Sequence, residues 1–118
     1  MIAKKFRIPR EQISYILNSG ESLTSKLFII RFKRSDEKFF KYRVVVSKKL
    51  EPKAVKRNLI RRQIYESIRL NTSALEESQG FDLIFIPKKR IISSKFQEIL
   101  EDIKQIIINI NAEPQQNP

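Results

Sequence analysis

The sequence predicts one α+β domain in which helices pack on a mixed β-sheet. Its 118 residues suit a single domain. Apolar residues recur at helical spacing in three segments and form short β-branched runs in three others, in the order helix, strand, strand, helix, strand, helix. No linker interrupts this order, so one sheet covered by helices is the simplest solution. We expect the domain to span residues 1–108, and residues 109–118, rich in Asn, Gln and Pro, to form a flexible polar tail.

The first predicted helix covers about residues 9–18. Pro9 suits a first helical turn, where its missing N–H costs nothing, and Gly20 supplies a stop. Three apolar residues recur between them at helical spacing: Ile13, Ile16 and Leu17.

Two strands are predicted next, at residues 27–32 and 41–47, with a possible short extra strand at residues 23–24. We expect the two to pair as an antiparallel hairpin across the polar turn at residues 35–38. Alternation along the second strand divides its residues between two faces. One face carries Val44 and Val46, and the other carries Arg43, Val45 and Ser47.

The remaining elements are a long helix, a strand and a final helix. A helix from about Lys53 to Leu70 has a core stripe of three isoleucines at positions 60, 64 and 68. Residues 81–86 form a strand that Pro87 closes. Ser94 and Gln97 have the spacing of a capping box at the start of the last helix. Its apolar stripe consists of Phe96, Ile99, Leu100, Ile103, Ile106 and Ile107.

The chain is strongly basic, with 24 Lys and Arg against 13 Asp and Glu, for a formal net charge of +11. Such an excess favours a polyanionic partner, because each neutralised phosphate releases condensed counterions. A charge that serves only solubility is the alternative.

Cysteine and histidine are both absent. Disulfides and thiolate metal sites are therefore excluded, and the commonest general base is missing. The N-terminus lacks the apolar stretch of a signal peptide, and no segment approaches the roughly 18 apolar residues that a membrane span needs. We expect a cytoplasmic protein with no membrane partner.

Basic residues cluster between positions 41 and 62, where nine cations accompany one acid, Glu51. On a helix, Arg57, Asn58, Arg61 and Arg62 span roughly 140° and flank the isoleucine stripe. Arginine suits forked contacts with phosphate. A solvated helix face with a run of cations is the structural alternative. The other members of the cluster are Lys41, Arg43, Lys48, Lys49, Lys53 and Lys56.

Three motifs in order resemble the bacterial ribonuclease P protein subunit. Residues 54–62, Ala-Val-Lys-Arg-Asn-Leu-Ile-Arg-Arg, resemble the family signature Ala-x-x-Arg-Asn-x-x-Lys/Arg-Arg. Residues 44–49 resemble the Val-Ser-Lys-Lys strand end that precedes it, and residues 81–84 resemble the later Tyr/Phe-Asp strand. The resemblance covers about residues 5–108. Two family cleft phenylalanines are replaced here by Ile13 and Leu17.

The resemblance implies a sandwich of helices on a mixed sheet with a left-handed βαβ crossover. It also implies a non-catalytic RNA-binding subunit of a precursor-tRNA endonuclease, which binds the catalytic RNA. The implied RNA-binding residues are Arg57, Asn58, Arg61 and Arg62, supported by Lys48, Lys49, Lys53 and Lys56. A cleft for the 5′ leader of precursor tRNA would involve Ile13, Leu17, Val45, Ser47 and Tyr65.

The resemblance further implies that RNA performs the cleavage, with Mg²⁺ held mainly by the RNA subunit and the substrate. We expect no metal site in the protein, because its acids show no metal-site spacing, and no obligate protein partner. A structural or ribosome-associated RNA-binding protein of similar fold is the alternative. A protein-only nuclease would need convergent carboxylates, which the sequence does not suggest.

Overall fold

A computed structural model describes residues 6–71 and 80–111, and it confirms the predicted α+β fold class. In these ranges three helices accompany one four-stranded mixed sheet. The helices are α1 (Arg10–Ser19), α2 (Ala54–Asn71) and α3 (Phe96–Asn111). The strands are β1 (Glu21–Thr24), β2 (Phe28–Arg34), β3 (Lys41–Val44) and β4 (Phe81–Pro87). A short 3₁₀ helix, Lys89–Ser93, precedes α3.

The sheet has the strand order β1-β2-β4-β3, so the predicted hairpin between the second and third strands is wrong. Strand β4 lies between them, antiparallel to β2 and parallel to β3. The physical reason is burial: β4 is apolar on both faces, which suits a central strand. Strand β3 carries Lys41 and Arg43 and takes the edge, where charged side chains are tolerated. It ends at Val44, earlier than predicted, whereas β1 confirms the extra strand at residues 23–24.

Two apolar layers cover the two faces of the sheet. The main core lies between the sheet and helices α2 and α3, and α1 covers the opposite face. Ile64 and Ile68 of α2 are fully buried in the main core and Ile60 is partly buried, which confirms the predicted stripe. On the opposite face the smaller cluster joins Ile16 of α1 to Ile84 of β4.

Helix α3 differs from the prediction at both ends. Glu98 Oε1 accepts a hydrogen bond from the Lys95 N–H at 3.0 Å, whereas Ser94 Oγ donates to the Arg90 carbonyl, so the capping box predicted at Ser94 and Gln97 is wrong. The helix continues to Asn111 because its apolar stripe extends to Ile110, which is fully buried. The predicted tail therefore starts too early, and residues 112–118 lie outside the described residues.

Candidate nucleic-acid interface

Four of the five lysines of the basic cluster lie between the end of β3 and the first turn of α2. Lys48 and Lys49 belong to the turn after β3, and Lys53 and Lys56 flank the start of the helix. All four side chains are exposed, and none has an ion pair within the described residues. The structure therefore presents these cations to solvent, where a polyanion can reach them.

Arg57 has a local structural contact that the sequence did not indicate. It is half-buried, and its Nη1 donates to the carbonyls of Glu51 and Pro52 at 3.0 and 2.7 Å. These bonds hold the loop that enters α2 against the first helical turn. The Arg57 Nη1 group therefore fixes the backbone just before Lys53.

Asn58, Arg61 and Arg62 occupy the next turn of α2. Arg61 Nη1 donates to Asn58 Oδ1 at 2.6 Å, which fixes both side chains relative to each other. Arg62 is exposed and makes no hydrogen bond or ion pair to the described residues. Arg57 and Arg61 are half-buried because they border the isoleucine stripe, whereas Asn58 and Arg62 point further into solvent. Together these residues offer forked donors on one helix face.

The acid nearest to this face is already neutralised. Glu66 forms a salt bridge with Arg69 three residues on, and the hydrogen bond from Arg69 lowers the pKa of the Glu66 carboxyl. The carboxylate therefore stays ionised and paired with Arg69. The charges of Arg61 and Arg62 are left to attract an external anion.

A second candidate surface lies beneath α1, on the opposite face of the sheet. Ile13 and Leu17 of the helix, like Val45 and Ile86 of the sheet side, are partly buried. All four pack against the buried cluster of Ile8, Ile16 and Ile84. Ile29 of β2 is the register partner of Ile86, so it extends the same face, and 37% of it is exposed. These five residues come from α1, β2, β4 and the chain just after β3, and they form the apolar surface that we call the cleft beneath α1.

Two arginines fix α1 over the sheet. Arg31 and Arg43 are the register partners of Ile84, on either side of it. Arg31 Nη2 donates to the Leu17 carbonyl at 2.9 Å, near the end of α1, and Arg43 Nη1 donates to the Ile8 carbonyl at 3.4 Å. A cation near helical carbonyls favourably opposes the helix dipole. Arg31 therefore holds the end of α1, and Arg43 holds the segment just before its start.

The remaining predicted cleft residues, Ser47 and Tyr65, do not join this group. Ser47 is exposed beyond the end of β3, and its Oγ accepts a hydrogen bond from the Leu50 N–H at 3.1 Å. Tyr65 packs against the main core beside Tyr42, and its hydroxyl accepts from the Val44 N–H at 3.2 Å. It therefore lies on the α2 side of the sheet, at the outer edge of β3.

Sequence reasoning missed Ile29 and Ile86 as cleft residues. The signal was present, because each alternates with buried residues of its strand and so lies on the other face. It could not be used without the strand order, which brings these two residues side by side.

On the other side of α1 lies a polar pocket that contains Lys33, Lys41, Asp82 and Tyr15. Burial raises the pKa of the Asp82 carboxyl, an effect that Lys41 opposes and Glu37 reinforces. The Lys33 ammonium lies 4.5 Å from the centre of the Tyr15 ring, and hydrogen bonding and charge from Lys33 lower the pKa of that phenol. Lys41 forms a salt bridge with Glu37 at 3.0 Å, so the charges in this pocket partly neutralise one another.

Within the described residues, no three Asp or Glu side chains converge as they would to hold a metal ion. Among the described helices, none combines the length and apolarity that crossing a bilayer requires.

A family model described as ribonuclease P matches residues 4–111 of the chain. The ribonuclease P protein component of Clostridium kluyveri is 33% identical over 92 residues, covering 78% of this chain and 81% of that protein. That of Carboxydothermus hydrogenoformans is 32% identical over 105 residues, covering 87% and 88%. Each relative is thus named as the protein component of ribonuclease P.

Two solved structures share the fold. A Staphylococcus aureus RNase P protein mutant with defective mRNA degradation activity superposes with a TM-score of 0.77 at 25% identity, covering 91% of this chain and 89% of that chain. The RNase P protein from Thermotoga maritima gives 0.74 at 24% identity, covering 92% and 97%.

Proposed function

Because the chain belongs to the ribonuclease P protein family, we propose that it binds the catalytic RNA of ribonuclease P through the basic start of α2 and the 5′ leader of precursor tRNA through the cleft beneath α1. In this role it promotes maturation of the tRNA 5′ end, and the RNA performs the chemistry. The holoenzyme is an endoribonuclease to which this chain contributes binding.

The observation that carries the proposal is the continuity of the two surfaces along the chain. Val45 lines the cleft, Lys48 and Lys49 follow within one turn, and α2 then presents Arg61 and Arg62. Apolar surface supports unpaired bases, and cations bind the phosphates between them. The two surfaces are therefore close along the chain, with the cleft on one face of the sheet and the basic start of α2 following the edge strand β3.

Mg²⁺ enters this proposal through the RNA. Within the described residues no three acids converge, and we assign no metal ion to the protein in this proposal. Mg²⁺ binds phosphate oxygens and keeps several waters. We place the ions on the RNA subunit and the substrate, where they would activate water and stabilise the leaving oxygen.

The first test is cleavage of a precursor tRNA at low Mg²⁺ by a bacterial ribonuclease P RNA, with and without this protein. We expect the protein alone to be inert and the mixture to cleave at the mature 5′ end, because bound cations replace part of the Mg²⁺ screening. Binding without rescue of cleavage would instead support a general RNA-binding protein of similar fold. Cleavage by the protein alone would contradict the proposal.

Site variants separate specific from general charge effects. Replacing Arg61 and Arg62 together by Gln should weaken binding to the RNA subunit and flatten its salt dependence by about two phosphate equivalents. Lys104→Gln is the matched control, because Lys104 is exposed on α3 and removes charge away from this face. Equal effects of the control, per charge removed, would count against a site on α2.

A further inference from the structure

A groove of about 820 Å³ lies between α2 and the start of α3, outside the cleft beneath α1. Resting on the RNA-binding function proposed above, we propose that this α2–α3 groove holds an unstacked nucleobase of the RNA partner. Leu59, Tyr65 and Phe96 supply its apolar lining, and Asn58, Arg61 and Arg62 line it with polar groups.

Large apolar side chains that line the groove remain exposed in the folded protein. Leu59 on α2 is 54% exposed and Phe96 at the first turn of α3 is 36% exposed, and both line the groove. The half-buried Tyr65 adds a second ring. Exposed apolar side chains gathered in one concavity mark a binding surface, and a flat base stacks on rings and aliphatic groups alike.

The charges around these residues favour an anionic occupant over a purely apolar one. Arg61 and Arg62 border the groove, and its one acid, Glu66, is paired with Arg69. Asn58 accepts from Arg61 through Oδ1, so its amide NH₂ is the part of the side chain that can donate to a base edge. An apolar centre with cations and an amide at its rim matches a base attached to a phosphate.

The volume of the groove and the net charge of the chain further restrict which ligand can occupy the groove. The groove volume lies within the range of about 300–1,000 Å³ that small-ligand sites occupy, which accommodates one nucleotide. A second copy of the chain is disfavoured, because two proteins of net charge +11 repel each other. The nucleobase would come from a loop or bulge, since bases in a duplex are not accessible to such a groove.

The direct test uses tryptophan fluorescence, because the chain has no tryptophan of its own. The Phe96→Trp variant places a single indole in the groove, and Ile108→Trp places one on an exposed α3 site outside the groove lining. We expect the catalytic RNA to quench the first variant and leave the second unchanged. Polyphosphate, which has charge without bases, should quench neither. Equal quenching of both variants by RNA, or quenching of Phe96→Trp by polyphosphate, overturns the proposal.

Affinity measurements supply the second readout. Phe96→Ala should weaken binding to the catalytic RNA roughly 5- to 100-fold without changing the salt slope, because stacking involves no counterion release. Phe96→Tyr should keep wild-type affinity, and Ile108→Ala is the matched apolar control. If wild-type protein binds and rescues cleavage but Phe96→Ala behaves like Ile108→Ala, the groove proposal alone fails. If wild-type protein does not bind the RNA, the proposed function fails first.

Discussion

Hydrogen bonding distinguishes residues of the same type within the basic cluster. Arg57 donates two hydrogen bonds to carbonyls of the loop before α2, and Arg61 donates one to Asn58. Arg62 has no hydrogen-bond or ion-pair partner among the described residues. The sequence predicted all three as one set, since they share residue type and helix. Their separate geometries depend on where the preceding loop folds, which no local pattern encodes.

Asp82 offers a test of buried charge at the residue scale. Its carboxyl is half-buried beside Lys41, its Oδ1 has no hydrogen-bond partner among the described residues, and burial raises its pKa. A raised folded-state pKa gives stability that is present at low pH and is lost as pH rises through that pKa. At neutral pH the ionised carboxylate therefore destabilises the fold relative to a neutral side chain.

We expect Asp82→Asn to increase the free energy of unfolding at about pH 7, and the gain to disappear near about pH 3, where the wild-type carboxyl is protonated. Urea unfolding at both pH values measures this difference. Glu101→Gln, at an exposed acid of α3, is the control and should change little at either pH. A gain that persisted at low pH would show that shape, not charge, is responsible.

At the scale of elements, the sequence predicted each α-helix and strand of the described residues but neither the 3₁₀ helix before α3 nor which strands are neighbours. Periodicity shows which residues of a strand share a face, so Val44 and Val46 were placed correctly opposite Val45. It does not identify the partner strand, and proximity in sequence favoured a hairpin that β4 displaces. The apolar character of β4 on both faces was the available sign of a central strand.

One carboxylate joins α3 to the turn between β1 and β2. Asp102 Oδ2 accepts hydrogen bonds from Ser25 Oγ at 2.7 Å and from the Leu27 N–H at 3.0 Å. Leu27 is fully buried, so losing this acceptor leaves a backbone donor without a partner. We expect Asp102→Ala to lower the free energy of unfolding by about 1–3 kcal/mol, measured by urea titration.

The matched variant for this anchor is Asp102→Asn, which keeps a carbonyl oxygen at the same position. It should lose less stability than Asp102→Ala, because one acceptor remains for the Leu27 N–H. Affinity for RNA should be the same in both variants. Equal losses of stability would mean that charge, rather than the hydrogen bonds, holds the turn to α3.

At the scale of the whole molecule, the sheet separates the two proposed RNA-binding regions. Helix α1 and the cleft lie on one face, and α2 packs on the other, with its basic start beside the edge strand β3. Composition predicted a polyanionic partner, and the ordered motifs predicted the family. The separation itself could not be predicted, because it depends on a parallel β3–β4 pair joined through α2.

This separation predicts that leader binding and RNA-subunit binding can be impaired independently. Ile29→Asp places a negative charge on the exposed floor of the cleft, where it repels a leader phosphate and removes apolar surface. We expect it to reduce the preference for precursor tRNA over mature tRNA by roughly tenfold, about 1.4 kcal/mol, without weakening assembly with the catalytic RNA. Arg62→Gln should weaken assembly with the catalytic RNA and leave the preference for precursor tRNA unchanged, because the Arg62 guanidinium lies on α2 and not on the cleft face.

Two measurements distinguish these effects. One is the affinity of the assembled holoenzyme for precursor and for mature tRNA, and the other is the affinity of the protein for the catalytic RNA. Thr24→Asp is the charge-matched control, because Thr24 pairs with Ile29 on the same face but lies on the outer strand β1. If Ile29→Asp weakened assembly as much as Arg62→Gln does, the two faces would not act separately, and one continuous RNA contact across the edge of β3 would explain the result better. A loss of preference confined to Ile29→Asp would instead locate the leader against the apolar floor, since the control adds the same charge without removing that surface.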